Sequence, residues 1–205
     1  MQRKIILATN SFGKIQEISS ILGDLPITCV TPKKIGLTKA PEETGQTLAE
    51  NALIKAKFYA DKTGLIALAD DSSLEIDALQ GEPGIYVRRW PGYEATDSEL
   101  ISYCLDKMKD YPNHNRGAQF HSVICIYDPT ISRAYYFEGI TRGMIAPESL
   151  PKYIDHYPFD ALFYFPDIKK YLAEIRDDKE LESSHSHRTK AVRNSIPKIK
   201  ELFNI

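Results

Sequence analysis

Short aliphatic runs that give way to polar residues mark the first part of the chain. The runs Lys4–Thr9 and Leu65–Ala69 predict buried strands, and polar turns follow them at Asn10–Gly13 and Asp70–Ser73. Between the two strands, apolar residues at helical spacing predict a helix over Lys14–Leu22. The polar groups that follow the two strands are therefore the first candidates for chemistry.

Further strands and helices are mixed along the rest of the chain. We expect strands at Pro26–Val30, Ala118–Tyr127 and Arg133–Ile140, and helices at Leu48–Lys62, Asp97–Met108 and Ser186–Phe203. Thr47 and Glu50 have the spacing of a capping box. Asp97 is expected to be an N-cap, and Pro197 is expected to kink or divide the last helix. The pattern predicts an α/β fold in a single domain, residues 1–205.

The composition excludes several classes of protein. The 205 residues carry 26 Lys and Arg against 28 Asp and Glu, and the net charge of −2 excludes a strongly basic nucleic-acid-binding protein. The first apolar run is too short for a membrane span or a signal-peptide core. Three widely spaced cysteines, Cys29, Cys104 and Cys125, are typical of reduced thiols. We therefore expect a cytoplasmic protein that binds neither nucleic acid nor a membrane.

The pair Asp70-Asp71 is the sharpest chemical feature of the sequence. Two carboxylates that follow a buried strand suit a divalent cation such as Mg²⁺, which prefers hard oxygen ligands. A helix cap or a solvated turn is the alternative interpretation. Neighbouring strand residues point to opposite faces, so if the strand continues this far, only one of the two carboxylates faces a given cleft.

Two further segments carry weaker signals. The strand, turn and helix around Thr9–Lys14 suit an anion, because backbone amides, a helix N-terminus and Lys14 all lie there, although the spacing of a Walker A loop is absent. Glu42-Glu43 lies in the polar stretch Lys33–Gly45, which is expected to be a loop. Taken alone, this acidic pair is expected to be solvated surface.

The last predicted helix is expected to open with Ser184–Arg188. His185 and His187 stand two residues apart without a third ligand nearby in the sequence, which disfavours a metal site. A histidine and an arginine at a helix start can instead form hydrogen bonds with a base or a phosphate. Trp90 and the aromatic run Phe159–Phe165 are expected to belong to the core.

Together these segments resemble the non-canonical purine nucleoside triphosphate pyrophosphatases, the inosine triphosphatase family. The resemblance is carried, in the same order along nearly the whole chain, by ATNSFGK, EETGQTLAENALIKA, LADDSSLEIDALQGEPGIYVRRW, RGAQFHSVICIY, FEGITRGMI and SHRTKA. It implies an elongated, twisted mixed sheet flanked by helices, in two lobes with a central cleft. It also implies a Mg²⁺-dependent homodimer that hydrolyses ITP, dITP and XTP to the monophosphate and pyrophosphate, which keeps the nucleotide pool free of these bases.

The resemblance also assigns roles to individual residues. It implies that Glu42 and Asp71 hold the metal and that Asp70 either tunes the metal site or is a further ligand. It also implies that Asp71 acts as general base on the attacking water. The substrate-binding residues implied by position are Thr9, Asn10, Ser11, Phe12, Gly13, Lys14, Lys55, Ser72, Tyr157, Phe159, Asp160, Glu182, His187 and Arg188. Of these, Thr9–Lys14 would bind the triphosphate, and His187 and Arg188 would recognise the 6-oxo edge of the base.

The departures from the family pattern concern mainly the recognition of the base. The family motif GFGYDP is replaced by the segment His156–Ala161, in which His156 and Pro158 stand where the family has glycines. Glu182 stands where the family has a lysine, a reversal of charge beside an anionic ligand. Smaller departures are Ser11, Ser73 and Val87-Arg88.

These departures leave three hypotheses open. The first is a pyrophosphatase of ordinary specificity, in which Lys179 or Lys190 replaces the missing cation. The second is an active enzyme with a shifted or relaxed choice of base. The third is a nucleotide-binding homologue with little turnover. Magnesium-dependent release of pyrophosphate separates the third from the others, and a panel of nucleotides separates the first two.

Overall fold

The fold is taken from a computed structural model, which describes residues 3–152, 154–176 and 178–205. The strands are β1 (Lys4–Leu7), β2 (Thr28–Val30), β3 (Ile66–Ile76), β4 (Pro83–Gly84), β5 (Gly117–Asp128), β6 (Arg133–Ile145), β7 (Phe163–Phe165) and β8 (Lys170–Tyr171). The helices are α1 (Phe12–Leu22), α2 (Leu48–Thr63), α3 (Asp97–Met108), α4 (Leu172–Ile175), α5 (Lys179–His185) and α6 (His187–Phe203). No helix in these ranges is both long and apolar enough to cross a bilayer.

The strands form a mixed sheet in the order β2-β1-β3-β5-β6-β7-β8, with β4 paired to β3. Strand β1 runs parallel to both β2 and β3, with Ile5 opposite Cys29 and Ile66. The pairs β3–β4, β6–β7 and β7–β8 are antiparallel. A mixed sheet with flanking helices confirms the predicted fold class.

The chain divides into two compact units. Unit 1 comprises Met1–Ser72, Ser122–Gly139 and His187–Ile205, and unit 2 comprises Ser73–His121 and Ile140–Ser186. In unit 1 the alternation of strand residues builds two apolar layers, one on each face of the sheet. Ile5 and Leu7 pack with residues of α1 and α6, whereas the intervening Ile6 packs with the alanines of α2.

The described residues of unit 2 build one apolar cluster. Its buried members come from the second half of β3, from α3, and from the aromatic segment around β7, where Phe159, Phe163 and Phe165 are at most 3% exposed. Trp90 packs against this cluster from a partly buried position, with its ring 6.2 Å from that of Phe159. The expectation that these aromatic residues belong to the core is confirmed.

Helix starts follow the sequence signals closely, with one correction. Thr47 and Glu50 form the predicted capping box of α2. At α3 the N-cap is Thr96 rather than Asp97, because Glu99 lies three residues after Thr96 and the two form a reciprocal capping box. Asp97 is thereby left free to bind other groups.

Two further corrections concern β3 and the C-terminal helices. Strand β3 does not end before Asp70 but continues to Ile76, because the apolar pattern resumes after the two carboxylates and each carboxylate is paired with a cation. The segment Ser184–Arg188 does not open one helix, since α5 ends at His185 and α6 begins at His187. Pro197 lies inside α6 without dividing it, where apolar neighbours pack against the core of unit 1.

Candidate active site

The continuation of β3 through Asp70 and Asp71 decides what each carboxylate can do. Because strand residues alternate, Asp70 shares a face with Leu68, which packs toward α1 and α6. Asp71 shares the opposite face with Ala69, which packs toward α2. The two neighbouring carboxylates therefore lie in separate environments, as expected if the strand extended this far.

Asp70 is a fully buried carboxylate held between two cations. Lys14 Nζ lies 2.8 Å and Arg188 Nε 3.0 Å from its Oδ2. Burial by itself raises the pKa of Asp70, but the charges of Lys14 and Arg188 outweigh burial and hold this pKa far below its usual value. Asp70 is therefore a permanent anion that fixes the positions of α1 and α6.

Arg188 uses all three of its guanidinium nitrogens within unit 1. Besides Asp70, it donates to Glu17 Oε2 at 2.6 Å and to Ser72 Oγ at 3.2 Å. Glu17 and Arg188 are each at most 6% exposed in their side chains, so their ion pair is shielded from water. In this structure Arg188 links the strand to two helices, and its role as a reader of the base edge stays a prediction.

Sequence reasoning missed two members of this network. Glu17 follows Lys14 by one helical turn on α1, a spacing that places both on one face, and this was the available signal. Ser122 is fully buried on β5, and its hydroxyl lies 2.9 Å from that of Ser72. Nothing local in the sequence marks Ser122, because its partner is 50 residues away.

Asp71 has a different partner on the other face of β3. Lys55 Nζ, from α2, donates to Asp71 Oδ1 at 2.6 Å and lies 3.3 Å from Glu43 Oε1. Burial raises the pKa of Asp71, and the nearby charges of Lys55 and Lys14 oppose this rise. Oδ2 of Asp71 accepts no hydrogen bond from any residue that the structure describes. It is thus the free oxygen of a carboxylate that is unusually ready to take a proton.

The metal set predicted from the sequence is not brought together. Within the described ranges no three His, Cys, Asp or Glu residues are grouped to hold a metal, so Glu42, Asp70 and Asp71 are not assembled as a set of three ligands. Opposite strand faces separate the two aspartates, and Glu42 lies exposed. Mg²⁺ is usually held by only one or two carboxylates, with water and phosphate oxygens completing the shell. Asp71, a carboxylate beside an acidic loop, fits that smaller requirement.

The turn between β1 and α1 has the predicted form. Ser11 N donates to Thr9 Oγ1 at 3.1 Å, and the first α-helical hydrogen bond runs from Ile15 N to Ser11 O. The amides of Phe12, Gly13 and Lys14 precede that bond and are the free donors of the helix N-terminus. Asn10 instead contacts the hydroxyl of Tyr59 at 3.4 Å.

Several of the residues assigned to base recognition lie in unit 2, where other side chains hold them in place. Asp160 is buried and forms an ion pair with Arg176, whose guanidinium lies 3.7 Å from the ring centre of Tyr157. Phe159 is 3% exposed and is part of the core. Glu182 lies on α5, a helix that the sequence analysis did not predict. His187, in unit 1, is 4% exposed at the start of α6.

Comparison with known proteins covers nearly the whole chain. A model of the Ham1 family matches residues 5–198. A dITP/XTP pyrophosphatase of Yersinia pseudotuberculosis is 37% identical over 203 residues, which are 97% of this chain and 99% of that protein. A HAM1 protein structure from Coxiella burnetii has a TM-score of 0.83 and 34% identity, with full coverage of both chains. The Staphylococcus aureus Ham1 structure has a TM-score of 0.78 and 32% identity, with 98% of each chain covered.

These matches agree with the order of motifs in the sequence and with the mixed sheet of the structure. Because the family model and the relatives extend over almost the full length, the chain belongs to the Ham1 family, and the predicted relationship to the inosine triphosphate pyrophosphatases is confirmed.

Proposed function

We propose that this protein hydrolyses non-canonical purine nucleoside triphosphates, namely ITP, dITP and XTP, to the monophosphate and pyrophosphate. Water attacks the α-phosphorus, the bond between the α-phosphorus and the bridging oxygen breaks, and pyrophosphate leaves. The relative from Yersinia pseudotuberculosis is named for dITP and XTP, which supports this class of substrate. We further propose that residues 1–205 act as one catalytic domain, in a cytoplasmic homodimer, as the family resemblance implies.

The observation that carries the proposal is the environment of Asp71. Lys55 holds one carboxylate oxygen at 2.6 Å and thereby orients the other, which has no hydrogen-bond partner among the described residues. A general base is most effective when its pKa lies closer to the working pH than that of an ordinary carboxylate. Burial raises the pKa of Asp71 in that direction. We infer that Oδ2 of Asp71 takes the proton of the attacking water.

The triphosphate is assigned to the turn Thr9–Lys14. The free amides at the start of α1 and the helix dipole favour negative charge. The ammonium group of Lys14 has three N–H donors. One donates to Asp70 Oδ2 at 2.8 Å and a second to the carbonyl oxygen of Asp70 at 3.3 Å. The third remains for a phosphate oxygen. Asp70 and Arg188 thus act on the substrate through Lys14, by keeping the cation in place.

Asp71 would hold Mg²⁺, with Glu42 as the second carboxylate implied by the family pattern. When bound, Mg²⁺ neutralises the charge of the phosphates and of the departing pyrophosphate. Lys55 lies between Asp71 and Glu43, so one positive charge faces two negative charges in the protein alone. This net negative charge favours a divalent cation at this face of β3.

One observation favours the second hypothesis, a shifted choice of base. The segment His156–Ala161 retains Asp160, but that carboxylate is paired with Arg176, a residue outside the motifs that carry the family resemblance. Because His156 and Pro158 also depart from the family pattern in this segment, it is expected to select among bases differently. The nucleotide panel therefore needs to include GTP and dUTP beside ITP, dITP and XTP.

The decisive experiment is hydrolysis in ¹⁸O-labelled water with and without Mg²⁺. We expect ITP to give IMP and pyrophosphate in equal amounts, with the label in IMP, because attack occurs at the α-phosphorus. Label in the pyrophosphate, or release of orthophosphate as the first product, would contradict the proposed reaction. Binding of ITP without any hydrolysis at saturating Mg²⁺ would instead support the nucleotide-binding homologue.

A further inference from the structure

The segment His156–Ala161 is fixed at its first residue by a contact with α3. His156 has a φ of +71°, a conformation that favours glycine and that an L residue adopts only under constraint. Its N–H donates to Asp97 Oδ2 at 2.7 Å, and Asp97 also binds Arg88 through Oδ1. Arg88 and His156 are both departures from the family pattern. The structure thus joins two departures that are far apart in the sequence.

The segment is fixed at its other end by Arg176. Asp160 and Arg176 form an ion pair in which the side chains are 5% and 14% exposed. The carbon of the same guanidinium lies over the ring of Tyr157, 3.7 Å from its centre. One side chain therefore holds two neighbouring members of the segment that are assigned to the base.

The position of Arg176 is itself well supported. It follows α4 directly, and the two buried residues of that helix, Leu172 and Ile175, are at most 1% exposed within the same cluster as Phe159. Glu174 Oε2 accepts from Tyr171 N at 2.8 Å and caps the start of the helix. The backbone of Arg176 therefore follows a helix that is fixed by its packing in the core.

We propose that Arg176 is a positioning residue that sets the choice of base, because it locks Tyr157 and Asp160 into one arrangement. The proposal rests on the proposed function, in which the segment His156–Ala161 recognises the base. Only an arginine does both tasks, since its planar guanidinium forms a directed pair with a carboxylate while its face stacks on an aromatic ring. A lysine at this position retains the charge but not the combined geometry.

The test compares Arg176→Gln and Arg176→Lys with a matched control, Arg142→Gln. Arg142 pairs with both carboxylate oxygens of Asp77, at 3.1 and 2.5 Å, in the same unit but away from residues 156–161. The first readout is kcat and KM for ITP, XTP and GTP. The second is hydrogen–deuterium exchange of residues 154–162 without nucleotide, which requires no activity. Thermal unfolding confirms that each variant is folded.

For Arg176→Gln we expect KM for ITP to rise about 10-fold, a loss of about 1.4 kcal/mol in binding, with kcat within about 2-fold of the parent. The ratio of kcat/KM between ITP and GTP falls, and exchange of residues 154–162 becomes faster. For Arg176→Lys we expect a KM for ITP between those of the parent and of Arg176→Gln, whereas the ratio of kcat/KM between ITP and GTP stays as low as in Arg176→Gln. Arg142→Gln leaves KM, selectivity and exchange unchanged.

An unchanged ITP-to-GTP ratio in folded Arg176→Gln would overturn the proposal, even if its stability fell. So would unchanged exchange at residues 154–162. If the parent protein released no pyrophosphate, the proposed function would fail, and the selectivity ratio would then be measured as nucleotide affinity by calorimetry. The two failures are therefore separable.

Discussion

The two faces of β3 show opposite ways of burying a carboxylate. On one face two cations, Lys14 and Arg188, lie within 3.0 Å of Asp70, and Arg188 also pairs with Glu17, so that two cations balance two anions. On the other face two anions, Asp71 and Glu43, share the single cation Lys55. The first arrangement lowers the pKa of Asp70. In the second, the effect of burial is larger than that of the nearby cations, and the pKa of Asp71 is raised. Neighbours in the sequence thus acquire opposite chemical characters.

The comparison teaches that charge balance, and not exposure, separates a structural aspartate from a reactive one. Asp70 is 0% and Asp71 6% exposed, so burial alone does not distinguish them. Two cations in direct contact make Asp70 a fixed anion that has little tendency to take a proton. A surplus of anions leaves Asp71 able to accept a proton or a cation. The following variants test this difference.

The largest effect is expected for Asp71→Asn. Losing the proton acceptor lowers kcat for ITP by about 10²–10⁴-fold, the range typical of general bases. The free energy of unfolding should change by less than about 1 kcal/mol, because the amide removes a charge that burial disfavours. Pyrophosphate release and urea unfolding measure the two quantities. Asp106→Asn, at an exposed ion pair with Lys109, is the control, and it should leave both unchanged. Retention of more than a tenth of the activity in Asp71→Asn would contradict the assignment.

Asp70→Asn, unlike Asp71→Asn, should lower the free energy of unfolding strongly. Removing this anion leaves the buried Arg188 and the half-buried Lys14 without their shared partner, and the free energy of unfolding should fall by about 3–5 kcal/mol. Urea unfolding of Asp70→Asn beside Asp71→Asn measures the difference directly. If both variants lost the same stability, the two faces of β3 would not differ in the way that the contacts indicate.

Much of this arrangement was accessible from the sequence, because it depends on regular elements. The strand, turn and helix of residues 4–22 and the capping box before α2 follow from local patterns that tertiary contacts did not override. The opposite orientation of Asp70 and Asp71 follows from the period of a strand. Only the extent of β3 was wrong, since two adjacent carboxylates interrupt the apolar pattern and their burial depends on cations from elsewhere.

The parts that could not be predicted depend on distant partners. Glu17 and Arg188 are 171 residues apart, and no local signal states that they meet. Helix α5 has no buried residue in the structure, so no apolar periodicity marked it. Arg176 lies in a short irregular stretch after α4, and only the fold brings it to Tyr157 and Asp160. The sequence marked Lys14, Lys55 and Arg188 as candidate site residues but not the carboxylate with which each one pairs.

Lys55→Met sharpens the comparison by removing the one cation on the Asp71 face. Asp71 and Glu43 then face each other without the charge of Lys55 between them, and we expect Mg²⁺ to bind the nucleotide-free protein about 10-fold more tightly. Turnover should nevertheless fall, because Lys55 no longer orients Asp71. Titration calorimetry with Mg²⁺ alone gives the affinity. Arg142→Gln removes a positive charge from unit 2 and should leave the affinity unchanged. A weaker or unaltered affinity in Lys55→Met would show that the acidic surplus on this face does not attract cations.

The smallest structural effect and the most specific functional one are expected for Glu42→Gln. Glu42 is exposed and forms no ion pair or hydrogen bond with any residue that the structure describes, so its loss should change the free energy of unfolding by less than about 0.5 kcal/mol. If Glu42 is the second metal ligand, the Mg²⁺ concentration for half-maximal rate should rise about 10-fold. Glu43→Gln is the matched control, because it removes the neighbouring charge, which contacts Lys55 at 3.3 Å. A larger shift in Glu43→Gln than in Glu42→Gln would assign the metal to the carboxylate that the structure already places beside Lys55.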